Sequence, residues 1–374
     1  MAGTGWIAEP GASPARTATR YVPTGHRIPA LDGLRGFAIL IVVLYHCRTL
    51  GHPPRAIASL FEIGWTGVDL FFVLSGFLIT GILLDSRSAP NYFSSFYARR
   101  VLRIFPLYYF AVSLVLIAGS LRLLPSRGRA ASPAWCFLFA QNWIFVDVPF
   151  LGHFWSLAVE EQFYLLWPLV VYLFPKRRIL PIAVAGSAAA VPLRLALMLA
   201  GVNPNYIYWN TFARMDALLI GAACACLLKE GRWREQLARH AKWLWCIPLF
   251  TLPGLKFLLK GFRIAPATQR FGYTIVALSY ACLLLALALG RSPLQSFFGS
   301  GPMRALGRYS YAAYVWHPLI LAAVLTLERY LWGSQLPWFL NLPFVWSVVL
   351  AASAATYFVI ERPFLSLKRH FQPR

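Results

Sequence analysis

Apolar runs of bilayer length constrain this chain more than any other feature. A helix needs about 20 predominantly apolar residues to cross a membrane, and ten such runs follow one another along the 374 residues. They cover residues 33–50, 65–84, 101–121, 154–174, 179–200, 207–229, 242–259, 271–290, 310–329 and 342–360. Within lipid only helices and closed barrels satisfy all their backbone hydrogen bonds. We therefore predict an all-α, polytopic integral membrane protein with about ten transmembrane helices.

The charge distribution predicts how the chain is oriented. The sequence is 59% hydrophobic and only 13% charged, yet its net charge is +22. In a soluble protein such an excess would indicate nucleic acid, whereas in a membrane protein Lys and Arg concentrate in cytoplasmic loops. A cytoplasmic N-terminus puts 22 of the 35 basic residues inside and nine outside. We predict cytoplasmic N- and C-termini, a multi-pass protein of the inner (cytoplasmic) membrane, and no nucleic-acid partner.

The remaining organisation is simple. Residues 1–26 contain several Gly and Pro and are predicted to form a disordered cytoplasmic tail. Residues 27–367 form one membrane domain, and residues 368–374 form a short C-terminal tail. The apolar stretch 135–148 is too short to span a membrane and is predicted to be re-entrant or interfacial. The six Cys residues are scattered, so no metal site is expected.

The first apolar run carries an arginine and a histidine on one helix face. Arg35 and His46 are eleven residues apart, which aligns their side chains to within about 20° and separates them by roughly 16 Å along the axis. Histidine is well suited to general-base catalysis at neutral pH. His46 is therefore a candidate catalytic base. The alternative is a histidine at a helix end that hydrogen-bonds to a loop.

The fourth run begins with two adjacent carboxylates, Glu160 and Glu161. A charge in lipid is costly, so ionisable residues of membrane helices usually face a cavity or a pathway. His153 and Ser156 share a helix face with Glu160, while Glu161 points about 100° away. We therefore predict that Glu160 faces the protein interior. The alternative role is stabilisation of the helix dipole by acidic residues in its first turns.

Other ionisable residues in the runs have roles that the residues alone leave open. Asp69 lies one turn into the second run, and Arg214 and Asp216 in the sixth are expected to form buried ion pairs with other helices. His317 precedes a proline that frees a backbone carbonyl. It either lines a pocket or makes a structural hydrogen bond.

A basic segment lies between the second and third runs. Arg99, Arg100 and Arg103 in YARRVLRIFP can present guanidinium groups to phosphate. This chemistry suits a donor that contains a nucleotide. The alternatives are charges that set the topology or that contact lipid headgroups.

The order of these motifs resembles the membrane acyltransferase family 3, which comprises polytopic O-acyltransferases of bacterial polysaccharides and natural products. The resemblance extends from about residue 27 to residue 367. It rests on RIPALDGLRGFAILIVVLYH (27–46), GVDLFFVLSGFLIT (67–80), RRVLRIFPLY (99–108), HFWSLAVEEQFYLLWP (153–168), RMDALLIGA (214–222), GRYSYAAYVWHPL (307–319) and IERPF (360–364).

The resemblance implies transfer of an acyl group, commonly acetyl, from cytoplasmic acyl-CoA to a hydroxyl, usually of a sugar, without a metal. The matched motifs imply that the catalytic residues are His46, Glu160 and Arg35. The R-x-x-R motif, Arg100 to Arg103, is expected to bind the phosphates of the donor. The resemblance also implies pocket or supporting roles for Asp69, Ser156, Asp216 and His317.

The resemblance leaves the mechanism and the acceptor open. The thioester would pass Arg35 and reach His46, which would either deprotonate the acceptor hydroxyl or carry the acyl group itself; Glu160 would orient its ring. Polysaccharide, lipid-linked sugar, peptidoglycan and macrolide are all possible acceptors. Longer members carry a C-terminal hydrolase-like domain that this sequence lacks, so any such function would need a separate periplasmic partner. One alternative function is a transporter or flippase of a lipid-linked glycan or small molecule, which predicts inverted repeats. Another is an inactive binding or regulatory member of the family, which would be expected to have lost His46 or the arginine pair, whereas both are present in this sequence.

Overall fold

The fold was analysed in a computed structural model that describes residues 28–122, 132, 134–144, 150–258 and 263–373. Within these ranges every regular element is helical, as the apolar runs predict. The helices up to residue 209 are α1 (Pro29–His46), α2 (Arg55–Glu62), α3 (Gly67–Ser86), α4 (Tyr92–Ser120), α5 (Ala134–Phe137), α6 (Trp155–Leu173), α7 (Lys176–Leu199) and α8 (Pro204–Trp209). Those that follow are α9 (Thr211–Lys229), α10 (Gly231–Leu244), α11 (Ile247–Leu258), α12 (Tyr273–Ala288), α13 (Gln295–Phe298), α14 (Gly301–Trp332), α15 (Trp338–Thr356) and α16 (Arg362–Ser366). Short 3₁₀ and π segments lie at Ile63–Thr66, Gly152–Phe154, Thr268–Gly272, Tyr357–Glu361 and Leu367–His370.

Eight helical segments of the described chain are long and apolar enough to cross a membrane. They correspond to eight of the ten predicted runs, and the other two runs correspond to α6 and α11. The 19-residue α6 carries two adjacent glutamates. The 12 residues of α11 extend only about 18 Å, which is less than the roughly 30 Å of a bilayer core.

The contacts at its two ends show that α6 nevertheless runs from one end of the bundle to the other. Helices α1 and α3 are antiparallel neighbours, because Gly64, just before α3, packs against the carbonyl of Ile41 late in α1. His153, just before α6, lies in a histidine cluster at the end of α1. Beyond the far end of α3, Arg87 donates a hydrogen bond to the carbonyl of Tyr172 near the end of α6 (3.0 Å).

The segment α10–α11 returns across the bundle in the same way. Lys229, at the end of α9, pairs with Asp85 near the end of α3. Lys256, in α11, pairs with Glu62, which precedes α3 (3.2 Å). Since these two carboxylates flank α3 at opposite ends, α10 and α11 together carry the chain from one end of the bundle to the other. Eight apolar helical segments and these two stretches thus account for the ten predicted runs.

Glycines allow the central helices to approach closely. A Cβ atom at Gly307 of α14 would lie 1.9 Å from the carbonyl oxygen of Asp32 in α1, and one at Gly76 of α3 would lie 1.8 Å from that of Leu218 in α9. Small residues permit such close packing between membrane helices. The α1–α14 crossing is important for the site, because both helices contribute residues to it.

Two predicted segments fall partly or wholly outside the described residues. The predicted disordered tail, residues 1–26, is outside them, as are residues 145–148 of the predicted re-entrant stretch. The described part of that stretch packs against α4, where the Tyr108 hydroxyl donates to the carbonyl of Cys136 (2.7 Å). Its re-entrant character stays a prediction.

Candidate active site

A cavity of about 110 Å³ lies among α1, α3, α4, α6 and α14. Five of the residues selected from the sequence line it, namely Arg35, Arg100, Arg103, Ser156 and Glu160. They come from three helices that are far apart in the sequence. The remaining wall is made of aromatic, aliphatic and hydroxyl side chains from α3, α4, α6 and α14: Val68, Phe71, Phe72, Ser75, Ile104, Leu157, Tyr164, Ser310, Tyr311 and Tyr314.

The carboxylate of Glu160 is held by two hydroxyl groups on the cavity wall. Ser75 Oγ donates to its Oε1 atom and the Tyr164 hydroxyl to its Oε2 atom, both at 3.1 Å. Tyr164 follows Glu160 by one helical turn, and Ser75 reaches it from α3. These bonds confirm that Glu160 faces the protein interior.

The three arginines give the cavity an excess of positive charge. Arg103 Nη1 bonds Glu361 Oε2 at 3.0 Å. The Nε atom of Arg100 is buried, and no described residue accepts a hydrogen bond from it. Three guanidinium groups and one carboxylate around a partly apolar cavity suit an anionic ligand with phosphate groups, because guanidinium binds phosphate through paired hydrogen bonds.

Three histidines from different helices meet at the end of α1. His317 Nε2 lies 3.3 Å from His46 Nδ1, and the ring of His153 lies 5.1 Å from that of His317, centroid to centroid. Tyr314, one turn before His317, contacts two members, since its carbonyl oxygen lies 2.9 Å from His153 Nε2 and 2.8 Å from His317 Nδ1. His46 therefore belongs to a cluster that the sequence did not predict.

Backbone carbonyls fix the tautomers in this cluster. His46 Nδ1 lies 2.8 Å from the carbonyl oxygen of Val42, which can only accept a hydrogen bond, so Nδ1 carries the proton. His317 Nδ1 is likewise the donor to the carbonyl of Tyr314. In the neutral rings the Nε2 atoms of both histidines then hold the lone pairs. The Nε2 lone pair of His317 faces the Nδ1–H of His46, and Nε2 of His46 is the basic nitrogen.

Tyr314 separates the cavity from the histidines. Its ring lines the cavity, and its hydroxyl lies 2.6 Å from Ser156 Oγ and 2.8 Å from the carbonyl of His153. Within the described residues, Glu160 and His46 make no hydrogen bond to each other. The orienting contact hypothesised between them is therefore not made in this structure, because Glu160 is held by hydroxyls of the cavity wall and His46 by Val42 and His317.

The supporting residues Asp69 and Asp216 lie in buried ion pairs, and the cavity wall does not include them. Asp69 Oδ1 is 2.6 Å from Arg214 Nη2, and Asp216 Oδ2 is 2.9 Å from Arg194 Nη1. All four side chains are inaccessible to solvent. These pairs join α3 to α9 and α9 to α7, so the expected buried ion pairs of Arg214 and Asp216 are confirmed.

Several uncharged polar residues of the site were not selected from the sequence. Ser75, Tyr164 and Tyr311 line the cavity, and Tyr314 connects it with the histidines. Helical spacing puts Tyr164 on the face of Glu160 and Tyr314 on the face of His317, but it gives neither tyrosine a role in the site. Among the described residues, no group of three or more His, Cys, Asp and Glu side chains could hold a metal ion.

The sequence was compared with known proteins. A family model described as an acyltransferase domain matches residues 28–360. The peptidoglycan O-acetyltransferase OatA of Listeria monocytogenes is 30% identical over 372 residues, covering 92% of this chain and 56% of that protein. The O-acetyltransferase OatA of Staphylococcus aureus is 28% identical over 361 residues, covering 90% and 57%. The putative peptidoglycan O-acetyltransferase YrhL of Bacillus subtilis is 30% identical over 382 residues, covering 92% and 56%.

The chain thus spans little more than half the length of these curated relatives. No solved structure matches it.

Proposed function

This chain belongs to the acyltransferase family that its motifs resemble, and we propose that it transfers an acetyl group from acetyl-CoA to a hydroxyl group of a glycan. The observation that carries the proposal is the arginine-lined cavity next to the histidine cluster. The acceptor we propose is peptidoglycan, the glycan in the names of the relatives from Listeria monocytogenes and Bacillus subtilis.

In this proposal the cavity receives the donor. Arg100 and Arg103 bind its phosphate groups, and Arg35 lies beside the pantetheine arm. The apolar part of the wall accepts the uncharged arm, and the thioester end is directed toward Ser156 and Tyr314. No other group of the described cavity offers comparable positive charge, which supports assigning the phosphates to the arginines.

His46 is the proposed base. Its Nε2 atom takes the proton from the acceptor hydroxyl while the hydroxyl oxygen attacks the thioester carbonyl carbon. The carbon–sulfur bond breaks, sulfur leaves with the electron pair, and the proton then passes from His46 to the thiolate to give coenzyme A. In the competing two-step version, Nε2 attacks the thioester carbonyl carbon, and the sulfur leaves with the electron pair and takes up a proton as coenzyme A. The acceptor hydroxyl then attacks the acetyl carbonyl, the carbon–nitrogen bond breaks, and the hydroxyl proton returns to Nε2 and is released.

The position of Tyr314 adds a requirement to either version. Its ring stands between the cavity and the histidine cluster, so the acetyl group and His46 can meet only after this ring has turned aside. The donor binds from the cytoplasm and the acceptor from the opposite face, and the two then meet at His46 in the inner membrane.

The test uses the full chain in proteoliposomes with isotope-labelled acetyl-CoA and a peptidoglycan fragment as acceptor. We expect His46→Ala to lower transfer by about 10²–10⁴-fold, the usual contribution of a general base. His240→Ala removes an exposed histidine on α10 and should have no effect. Full activity of His46→Ala would contradict its role as base or carrier. Movement of a glycan without dependence on acetyl-CoA would favour the transporter alternative.

A further inference from the structure

The C-terminal segment, residues 357–373, packs along the first half of α4 and is fixed there at three points. The carboxylate of Glu361 bonds Arg103 at 3.0 Å. Further along, the side chain of Gln372 accepts from Arg99 Nη1 at 3.1 Å, and its carbonyl accepts from Asn91 Nδ2 at 2.8 Å. These contacts hold the segment against the side of α4 that carries the arginines.

Lys368 lies between these attachment points, in the turn Leu367–His370. It is partly buried, and among the described residues it forms no ion pair. Glu361 on one side of it bonds Arg103, and Gln372 on the other side bonds Arg99, so the segment places Lys368 beside the arginines of α4, two of which line the cavity together with Arg35. The C-terminal segment therefore adds a fifth cation to a cluster formed by α1 and α4.

The carboxylates near this cluster do not neutralise it. Glu361 acts on Lys368, but its hydrogen bond goes to Arg103. Glu160 is held by Ser75 and Tyr164. The nearby carboxylates, which are Asp32, Glu160, Glu161 and Glu361, are fewer than the five cations. Positive charges that lie close together in a poorly solvated site repel each other. This repulsion is relieved when a multiply charged anion binds between them.

We propose that Lys368 is a phosphate-binding residue, and that the C-terminal segment completes the site for the nucleotide half of the acyl donor. This inference rests on the proposed function. The nucleotide half of coenzyme A carries a diphosphate and a separate ribose phosphate, which match cations on two elements. Arg100 and Arg103 hold one phosphate group from α4, and Lys368 holds another from the C-terminal segment.

The test compares two donors that differ only in the part that Lys368 would bind. Lys368→Gln should raise the KM for acetyl-CoA about tenfold, the usual size of a lost bond to a charged group, without changing kcat. Acetyl-pantetheine lacks the nucleotide, so its transfer should be the same in the variant and the wild type. Lys368→Arg keeps the charge and should keep the KM within about twofold.

Arg369→Gln is the matched control, because it removes the same charge from the neighbouring exposed position. It should leave the KM for acetyl-CoA and the transfer from acetyl-pantetheine unchanged. An unchanged KM for acetyl-CoA in Lys368→Gln, or equal losses with both donors, would overturn the role of Lys368 while the proposed function stands. If the wild type neither binds coenzyme A in calorimetry nor transfers from either donor, the proposed function itself fails, and this inference fails with it.

Discussion

At the scale of single residues, His317 faces His46 in the way that the aspartate of a catalytic triad faces its histidine. In the proposed reaction Nε2 of His46 takes up a proton, and the ring becomes a cation with two N–H donors. Its Nδ1–H already faces the carbonyl of Val42 and the lone pair of His317, at 2.8 and 3.3 Å. Both acceptors stabilise the protonated ring and keep its orientation, which is the role of the aspartate in a serine-protease triad. His317 is then a positioning residue.

A pair of substitutions at His317 separates positioning from packing. Asparagine places its amide nitrogen where Nδ1 lies and can keep the bond to the Tyr314 carbonyl, but it has no acceptor facing His46. Glutamine extends far enough to offer an oxygen near the position of Nε2. We expect His317→Asn to lower kcat about tenfold or more with little change in KM, and His317→Gln to recover most of the rate.

The measurement is acetyl transfer in proteoliposomes, with the thermal unfolding temperature of each variant as the control for folding. Equal losses of kcat in both variants, in step with equal losses of stability, would show that His317 only packs. Unlike a carboxylate, a neutral His317 adds no charge at this buried position.

The sequence reveals the charged residues of the site because lipid penalises charge. Arg35 and Glu160 each stand out in an apolar run, whereas Arg100 is noticed as part of a basic segment beside one. All three line the cavity. A hydroxyl such as that of Ser75 costs little in a membrane helix and therefore gives no signal. The contact of His46 with His317 joins positions 271 residues apart. Helical periodicity orders residues within one helix and carries no information about such a pair.

At the scale of elements, the crossing of α1 and α14 sets the distance between the two histidines. Gly307→Ala should force the helices apart, because a Cβ there would overlap the carbonyl oxygen of Asp32. Overpacking of this kind costs about 1–3 kcal/mol. We expect a lower unfolding temperature and a loss of transfer activity. Gly119→Ala, in open space near the end of α4, is the control and should change neither property; equal behaviour of the two variants would contradict the argument.

The buried ion pairs stabilise the bundle because they hold neighbouring helices together. Asp216→Asn leaves the guanidinium of Arg194 buried without its counter-charge, which should cost about 3–5 kcal/mol and lower the yield of folded protein. Asp85→Asn removes an acid that is itself exposed in its pair with Lys229, and such pairs contribute little. Thermal unfolding in detergent checks both. A similar effect of the two substitutions would mean that the Arg194–Asp216 pair does not stabilise the bundle.

At the scale of the whole molecule, the number of crossings decides where the termini lie. Ten crossings put both termini on one side, whereas nine would put them on opposite sides. The two elements in question, α6 and α11, fail simple criteria of length or hydropathy for physical reasons: α6 carries two glutamates, one of which lines the cavity, and α11 is short. The apolar runs of the sequence include both, yet only their contacts with residues flanking α3 show that they join opposite ends of the bundle.

Single-cysteine labelling tests the predicted arrangement in intact cells. In a background without the partly exposed Cys246 and Cys282, cysteine is introduced at the exposed positions Ala56, Ser94 and Ser366. With cytoplasmic termini and ten crossings, a membrane-impermeant maleimide should label Ala56→Cys alone, and all three variants should react after permeabilisation. Labelling at both Ala56→Cys and Ser366→Cys would mean that one of the two short elements does not cross. Labelling at Ser94→Cys and Ser366→Cys, but not at Ala56→Cys, would reverse the orientation and place the arginine cluster, and with it the donor, on the outer face.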